Sequence, residues 1–208
     1  MLNSEERELR KSQVGASEVY KLFNFDSQTL QSLFLQKIGI EEVPELDNEA
    51  IRAGNILEED CIKFYLEKNN IKAYVLNKRF EHSTIKNFVA STDGFSIIPI
   101  EIKTVGMEKF IKVCSDNKTD RNHYIQCQAQ MSCSGTDSSI IVYFGLTNYD
   151  RQFPLEYTPS EFTMHPIGVW RDEELIKEIE SRVKYFLWCI QYHWTPSEKD
   201  YLLRSLEL

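Results

Sequence analysis

The chain has 208 residues, 42% of them hydrophobic and 12% aromatic, which is ample for a real core and too apolar for a disordered segment. Its formal charge is -8, from 32 acidic and 24 basic side chains, which argues against a non-specific nucleic-acid coat. Five cysteines (Cys61, Cys114, Cys127, Cys133, Cys189) form no C-x-x-C pair, which speaks against a zinc or iron–sulfur site and for reduced thiols in a cytosol.

Residues 1–12 are polar and charged and read as a helix or arm, too charged for a signal peptide. No run approaches a membrane span. Ser17 is expected to cap a short helix with Val19, Leu22 and Phe23 on its apolar face. Thr29–Lys37 has Leu30, Leu33, Phe34 and Lys37 at helical spacing and stops at Gly39. Residues 41–49, acidic with one Pro, read as a loop. A long amphipathic helix is expected from Glu49 to Asn69.

The period then changes to two. Lys72–Phe80, Asn87–Ser91 and Phe95–Lys103 read as a β-meander. Met107–Arg121 reads as a basic, polar loop. Arg121–Ser134 returns to helical spacing, with Tyr124, Gln128 and Met131 in one stripe. The apolar run Ser139–Gly145 reads as a central strand covered on both faces. Gln152–Thr158 is a further strand candidate, and Asp172–His193 an amphipathic helix. The order helix, three strands, helix, strand, strand, helix predicts an α/β fold with a mixed central sheet flanked by helices. The helix before the fourth main strand is a crossover that sets it parallel to the third.

The stretch from Phe88 to Thr104 concentrates the chemistry. Glu101 and Lys103 are two apart, so on a strand both leave one face, while Ile100 and Ile102 point into a core. Asp93 precedes them in a Thr-Asp-Gly turn. Two carboxylates beside an ammonium make a hard oxygen site for Mg²⁺, suited to phosphoryl chemistry. The bland readings are a solvated charge pair and an Asp that bonds its own turn. Glu58, in the helix, is a candidate third acid, although Glu58-Glu59-Asp60 also reads as a solvent face. Gly54 would let this helix approach another backbone closely.

GASEV (15–19), GNILEE (54–59), STDG (91–94), EIKT (101–104) and YIQCQAQM (124–131) occur in this order. The set resembles the lambda-type alkaline exonucleases, or YqaJ-like viral recombinases, of the PD-(D/E)XK nuclease superfamily, from about Arg10 to Gly145. The resemblance implies a restriction-endonuclease-like fold in one nuclease domain over 1–208. That domain would comprise an N-terminal helical part (1–50), a catalytic core (51–160) and a C-terminal helix (170–208). Asp93, Glu101, the Ile102 carbonyl and Glu58 would hold one or two Mg²⁺ ions, with Mn²⁺ as a substitute. Lys103 would orient or activate the attacking water. Gln126 matches the motif's first glutamine, near the lysine, and Gln128 its second, read as structural. Arg10 and Ser17 match a pair that holds a 5′-terminal phosphate, although Arg10 reads equally as a solvated charge.

The activity implied is 5′→3′ digestion of double-stranded DNA from its ends, leaving 3′ tails for a single-strand annealing recombinase. The setting implied is a phage protein in the bacterial host cytosol, assembled as a ring-shaped trimer. A DNA endonuclease of the same superfamily and a non-enzymatic DNA-binding or scaffold module are the alternatives. Lys109, Lys112, Lys118 and Arg121 match no motif and read either as a DNA-contacting loop or as a solubilising one. His123 reads as a helix-start surface histidine, and the aromatic residues Tyr185, Trp188, Tyr192 and Trp194 as core packing.

Overall fold

The computed structural model describes residues 9–42 and 48–205. Residues 1–8 of the expected arm and 43–47 of the expected acidic loop lie outside these. A short 3-10 helix, Ala16–Phe23, buries Val19 and Leu22. Its cap is Gly15, whose N–H donates to the Glu18 carboxylate, so Ser17 lies inside the helix and does not cap it. Helix α1 (Gln28–Lys37) starts at Ser27, whose hydroxyl accepts from Leu30 N–H. Helix α2 (Glu49–Lys68) starts at Asn48 and buries Ala53, Leu57, Cys61, Ile62, Tyr65 and Leu66 against the sheet. Truncating a fully buried side chain such as Leu57 to Ala costs about 2–5 kcal/mol, so this helix is fixed firmly over the strands that carry the acids.

The sheet among the described residues has six strands: β1 (Val14–Gly15), β2 (Val75–Glu81), β3 (Phe88–Phe95), β4 (Pro99–Gly106), β5 (Ser138–Leu146) and β6 (Met164–Trp170). The meander β2–β3–β4 is antiparallel, β5 runs parallel to β4 over seven pairs, and β6 closes the edge antiparallel to β5. The expected crossover therefore holds. One irregularity organises everything else. Strand β3 pairs with β2 along one edge, and on its other edge with β1 at Phe88–Val89 and with β4 only at Gly94–Phe95. Between those contacts β3 and β4 part, leaving backbone groups that side chains must satisfy.

Three further expectations are corrected. Asp93 lies within β3 and not in a turn. A Cβ on Gly94 would stand 2.9 Å from Ile62 Cδ1, so this glycine serves the passage of α2 over the strand. Met107–Asp116 is a helix, α3, and not a loop. Phe110 and Val113 form its buried stripe, and a Cβ on Gly145 would stand 2.7 Å from the Phe110 ring, so β5 makes room for it. The segment 152–158 holds the end of a short helix, α5 (Asn148–Gln152), and a 3-10 turn started by Pro154. The last strand comes later, at 164–170. A terminal helix, α7 (Glu198–Arg204), follows α6 (Glu173–Tyr192) and packs Tyr201 against Phe25 and Tyr185. Helix α4 (Arg121–Ser134) matches its expected bounds. Among the described residues no helix is long and apolar enough to cross a membrane.

Candidate active site

The parting of β3 and β4 opens a cleft of about 450 Å³. Asp93 lines it from β3, Glu101 and Lys103 from β4, Glu58 from α2 and Gln126 from α4. Arg10 and Ser17 line it from the N-terminal segment. The expected site residues thus meet, although they come from five separate stretches of chain. Gly54 approaches the Thr104 side chain, 3.3 Å from an added Cβ, and not a second backbone.

The opened ladder explains the hydrogen bonds. Ile102 N–H donates to Asp93 Oδ2 at 2.6 Å, a side chain standing in for the missing strand partner. The Ser91 carbonyl accepts from Gln130 Nε2 at 3.0 Å in the same way. Gln130 also donates to Glu101 Oε2 at 2.5 Å, while Gln126 Nε2 (2.5 Å) and Lys103 Nζ (2.6 Å) both donate to Glu101 Oε1. Glu101, 4% exposed, is therefore held by three donors from two elements. Gln130 went unnoticed in the sequence. Its signal is its place four residues after Gln126, on the same helix face. Gln128 faces the other way: its amide donates to the Trp170 carbonyl (2.8 Å) and its oxygen accepts from Asp172 N–H (2.9 Å). It joins α4 to the start of α6.

Burial and then repulsion from Glu101 raise the Glu58 carboxyl above its ordinary value. Burial, Glu101 and Glu58 together push Asp93 well up, against the pull of Ile102 N–H and Lys103. Burial opposes the Lys103 charge, yet Glu101 outweighs it and holds the ammonium above its usual range, so Lys103 keeps its proton. The cleft is a crowd of three carboxylates around one cation. Such a surplus of buried negative oxygen suits a hard divalent cation, which would relieve the repulsion. Asp93 and Glu101 face protein donors, and among the described residues no three carboxylate, histidine or cysteine side chains form a ready-made cation cage.

At the other end of the cleft, Lys37 Nζ donates to the carbonyls of Arg10 (2.9 Å) and Gln13 (2.7 Å) and to Glu18 Oε2 (2.9 Å). Two of its protons fix the Arg10–Gln13 segment, and the third ties that segment to Glu18 in the 3-10 helix. Arg79, opposite Ser91 on β2, also lines the cleft and donates to Gln13 Oε1 at 2.7 Å. No motif announces Lys37, Gln13 or Arg79. The basic residues Lys109, Lys112 and Arg121 do not line this cleft, and Lys109 is paired with Asp120. His123 is half-buried and not a free surface group. Its Nδ1 lies 2.9 Å from the Tyr143 hydroxyl, and burial with the nearby Lys103 and Lys109 lowers its pKa to about 4.

Residues 7–137 match the family described as YqaJ-like viral recombinase domain. The chain belongs to that family. No curated protein matches it. The fold is shared with the alkaline exonuclease LHK-Exo of Laribacter hongkongensis. Its complex with dAMP matches at 24% identity and a TM-score of 0.76 over 99% of this chain and 98% of that one. A second LHK-Exo structure gives 24% and 0.74 over 98% of each chain. A phage-related exonuclease from Haemophilus somnus 129PT matches at 20% identity and 0.66, over 87% of this chain and 96% of that one.

Proposed function

We propose that the protein is a divalent-cation-dependent deoxyribonuclease that digests double-stranded DNA from its ends in the 5′→3′ direction. The observation that carries this reading is the meeting of Glu58, Asp93, Glu101 and Lys103 in one cleft whose far end presents Arg10 and Ser17. Membership of the YqaJ-like family and a fold shared with exonucleases support it.

Glu58, Asp93, Glu101 and the Ile102 carbonyl are the groups that would hold one or two Mg²⁺ ions, Mn²⁺ being a substitute. The cation supplies charge neutralisation at the phosphoryl oxygens and makes water a stronger nucleophile. Gln126 and Gln130 fix both oxygens of Glu101, so the carboxylate need not reorganise as the reaction proceeds. Lys103 acts as a protonated donor: it orients the attacking water and offsets charge building on the phosphoryl group. It is not the base. Arg10 and Ser17 receive the 5′-terminal phosphate, a guanidinium and a hydroxyl being suited to its oxygens. An anchored terminus allows only the first bonds of the strand to reach the acids, which makes the enzyme an exonuclease.

The product would be 5′-mononucleotides and a 3′ single-stranded tail for an annealing recombinase in the host cytosol. The surplus of -8 weakens electrostatic grip on DNA, and a ring-shaped trimer around the duplex would replace grip by encirclement. The whole chain serves as one nuclease domain. The test is digestion of linear duplexes with and without a 5′-phosphate, beside covalently closed circles. Faster loss of the phosphorylated ends and intact circles are expected. Cutting of circles would turn the reading to an endonuclease. A folded protein that neither cuts nor binds Mg²⁺ or Mn²⁺ by calorimetry would leave only a binding module.

A further inference from the structure

The far end of the cleft carries more positive charge than Arg10 alone supplies. Arg10, Lys37, Arg79 and Lys103 are the cations that line the cleft. Two of them are matched, Lys37 by Glu18 at 2.9 Å and Lys103 by Glu101 at 2.6 Å. Arg10 and Arg79 have no ion-pair partner among the described residues. The other acids of the cleft, Glu58 and Asp93, do not serve them: the charges that act on these two are those of Glu101, Lys103 and each other.

The place of the Arg79 guanidinium follows from register and from a hydrogen bond. Arg79 stands directly opposite Ser91 in the β2–β3 ladder, so its side chain leaves the sheet on the side of Ser91. Strand alternation puts Val89 and Asp93 on that side too, and all three line the cleft. Arg79 Nη2 donates to Gln13 Oε1 at 2.7 Å. Gln13 is 5% exposed, and its own carbonyl accepts from Lys37 Nζ at 2.7 Å. The same ammonium holds the Arg10 carbonyl at 2.9 Å, so both unmatched arginines are tied to one short segment of chain. A neutral amide fixes the guanidinium without cancelling its charge, and it occupies one of five donors.

We propose that Arg79 is a second phosphate-contacting cation of the 5′ end, and that with Arg10 it reads the second negative charge that only a terminal phosphate carries. This rests on the reading of the protein as a 5′-directed DNA exonuclease. A terminal phosphomonoester bears a charge of about −1.5 to −2 near neutral pH, whereas each internal diester bears a single charge. One guanidinium suits either group. Two guanidiniums favour the monoester, because on a diester the second would share a charge that the first has already met. The free donors of the planar Arg79 fork match phosphate oxygens. Its anchorage on Gln13 reduces the entropy lost when a long side chain is ordered on binding. The distinction between a strand end and its interior then comes from charge as well as from shape.

The test measures kcat/KM of the full chain in Mg²⁺ on one short duplex whose 5′ ends carry a phosphate, a methylated phosphate or a hydroxyl. The methyl ester keeps the phosphate and removes its second charge. The wild type is expected to prefer the phosphate to its methyl ester about tenfold. Arg79→Gln is expected to lower kcat/KM on the phosphorylated duplex about tenfold, and on the hydroxyl duplex no more than about twofold. In that variant phosphate and methyl ester come within about twofold of each other. Each preference is a ratio within one preparation, so a lost folded fraction cancels. Arg79→Lys, which keeps the charge without the fork, restores most of the preference. An Arg79→Gln variant that slows all three duplexes alike makes Arg79 a general contact or a strut and overturns the proposal, as does one that changes none of them. A wild type that takes phosphate and methyl ester equally, while rejecting the hydroxyl, overturns it and leaves Arg10 and Ser17 in their role. A wild type that cuts all three at one rate overturns it together with that role, and the nuclease reading stands. A folded wild type that cuts no DNA overturns the nuclease reading and the proposal with it.

Discussion

Two buried charge networks invite comparison. Around Arg182 the ion pairs are closed. Nε donates to Glu178 (2.9 Å), Nη2 to Glu198 (3.0 Å) and Nη1 to the Leu22 carbonyl (2.9 Å), and the guanidinium lies 4.6 Å from the Tyr201 ring centre and 5.0 Å from that of Phe23. Both of its carboxylate partners keep contact with water. In the cleft the balance is broken, with Glu58, Asp93 and Glu101 gathered about Lys103 and two of the acids pushed up in pKa. A closed network holds helices α6 and α7 to the N-terminal segment. A network in surplus stores repulsion that a bound cation or a proton relieves. Satisfaction of charge, and not burial alone, separates a strut from a site.

Mutation should separate the two sharply. Glu58→Gln is expected to lower the rate of duplex cleavage about 1000-fold while the melting temperature holds or rises, because a charge that repels Glu101 leaves. Normal cleavage by this variant would break the comparison. Arg182→Ala should do the reverse. Loss of its pairs and of its aromatic stacking costs about 3 kcal/mol, read from urea unfolding, with the rate per folded molecule unchanged. A smaller contrast sits within α4. Gln130→Met leaves Glu101 Oε2 and the Ser91 carbonyl without a donor, so a drop of about tenfold in kcat is expected. Gln128→Met should instead lower stability by about 1–2 kcal/mol and spare kcat.

The smallest effect is on pH. Glu58 and Asp93 have raised values in the folded chain, so the folded state binds protons more readily than the unfolded one. Stability in EDTA should therefore fall as pH rises above the ordinary carboxylate range. Saturating Mg²⁺ should abolish or reverse that slope in a series of melting curves. His123, lowered to about 4, works in the opposite sense, since its contribution is lost as pH falls below 6.5. The slope is cleanest above that pH.

Much of this was readable in the residues. The helices over 28–37, 49–68, 121–134 and 173–192 follow from apolar spacing with Ser27, Asn48, Asp120 and Asp172 as caps. The five short motifs hold Glu58, Asp93, Glu101, Lys103, Gln126 and Ser17, the resemblance added Arg10, and all seven line one cleft. What stayed hidden depends on tertiary contact. Helix α3 hides in a polar segment because only Phe110 and Val113 are fully buried, under space left by Gly145. Strand β6 hides because its edge position leaves Pro166, Gly168 and Trp170 exposed, which blurs alternation. Arg79 and Lys37 enter the cleft through pairing and through carbonyls, neither of which leaves a trace in spacing.

The parallel pairing of β4 with β5 also sets when the cleft comes into being. Glu101 meets Gln126 and Gln130 only after the chain closes loops of 25 and 29 residues. The β4 ladder itself is completed by residues 140–146. Non-local pairing of this kind is slow relative to helix formation. During refolding, helical signal should therefore return before nuclease activity, and a chain emerging from the ribosome carries its acids harmlessly until β5 has followed.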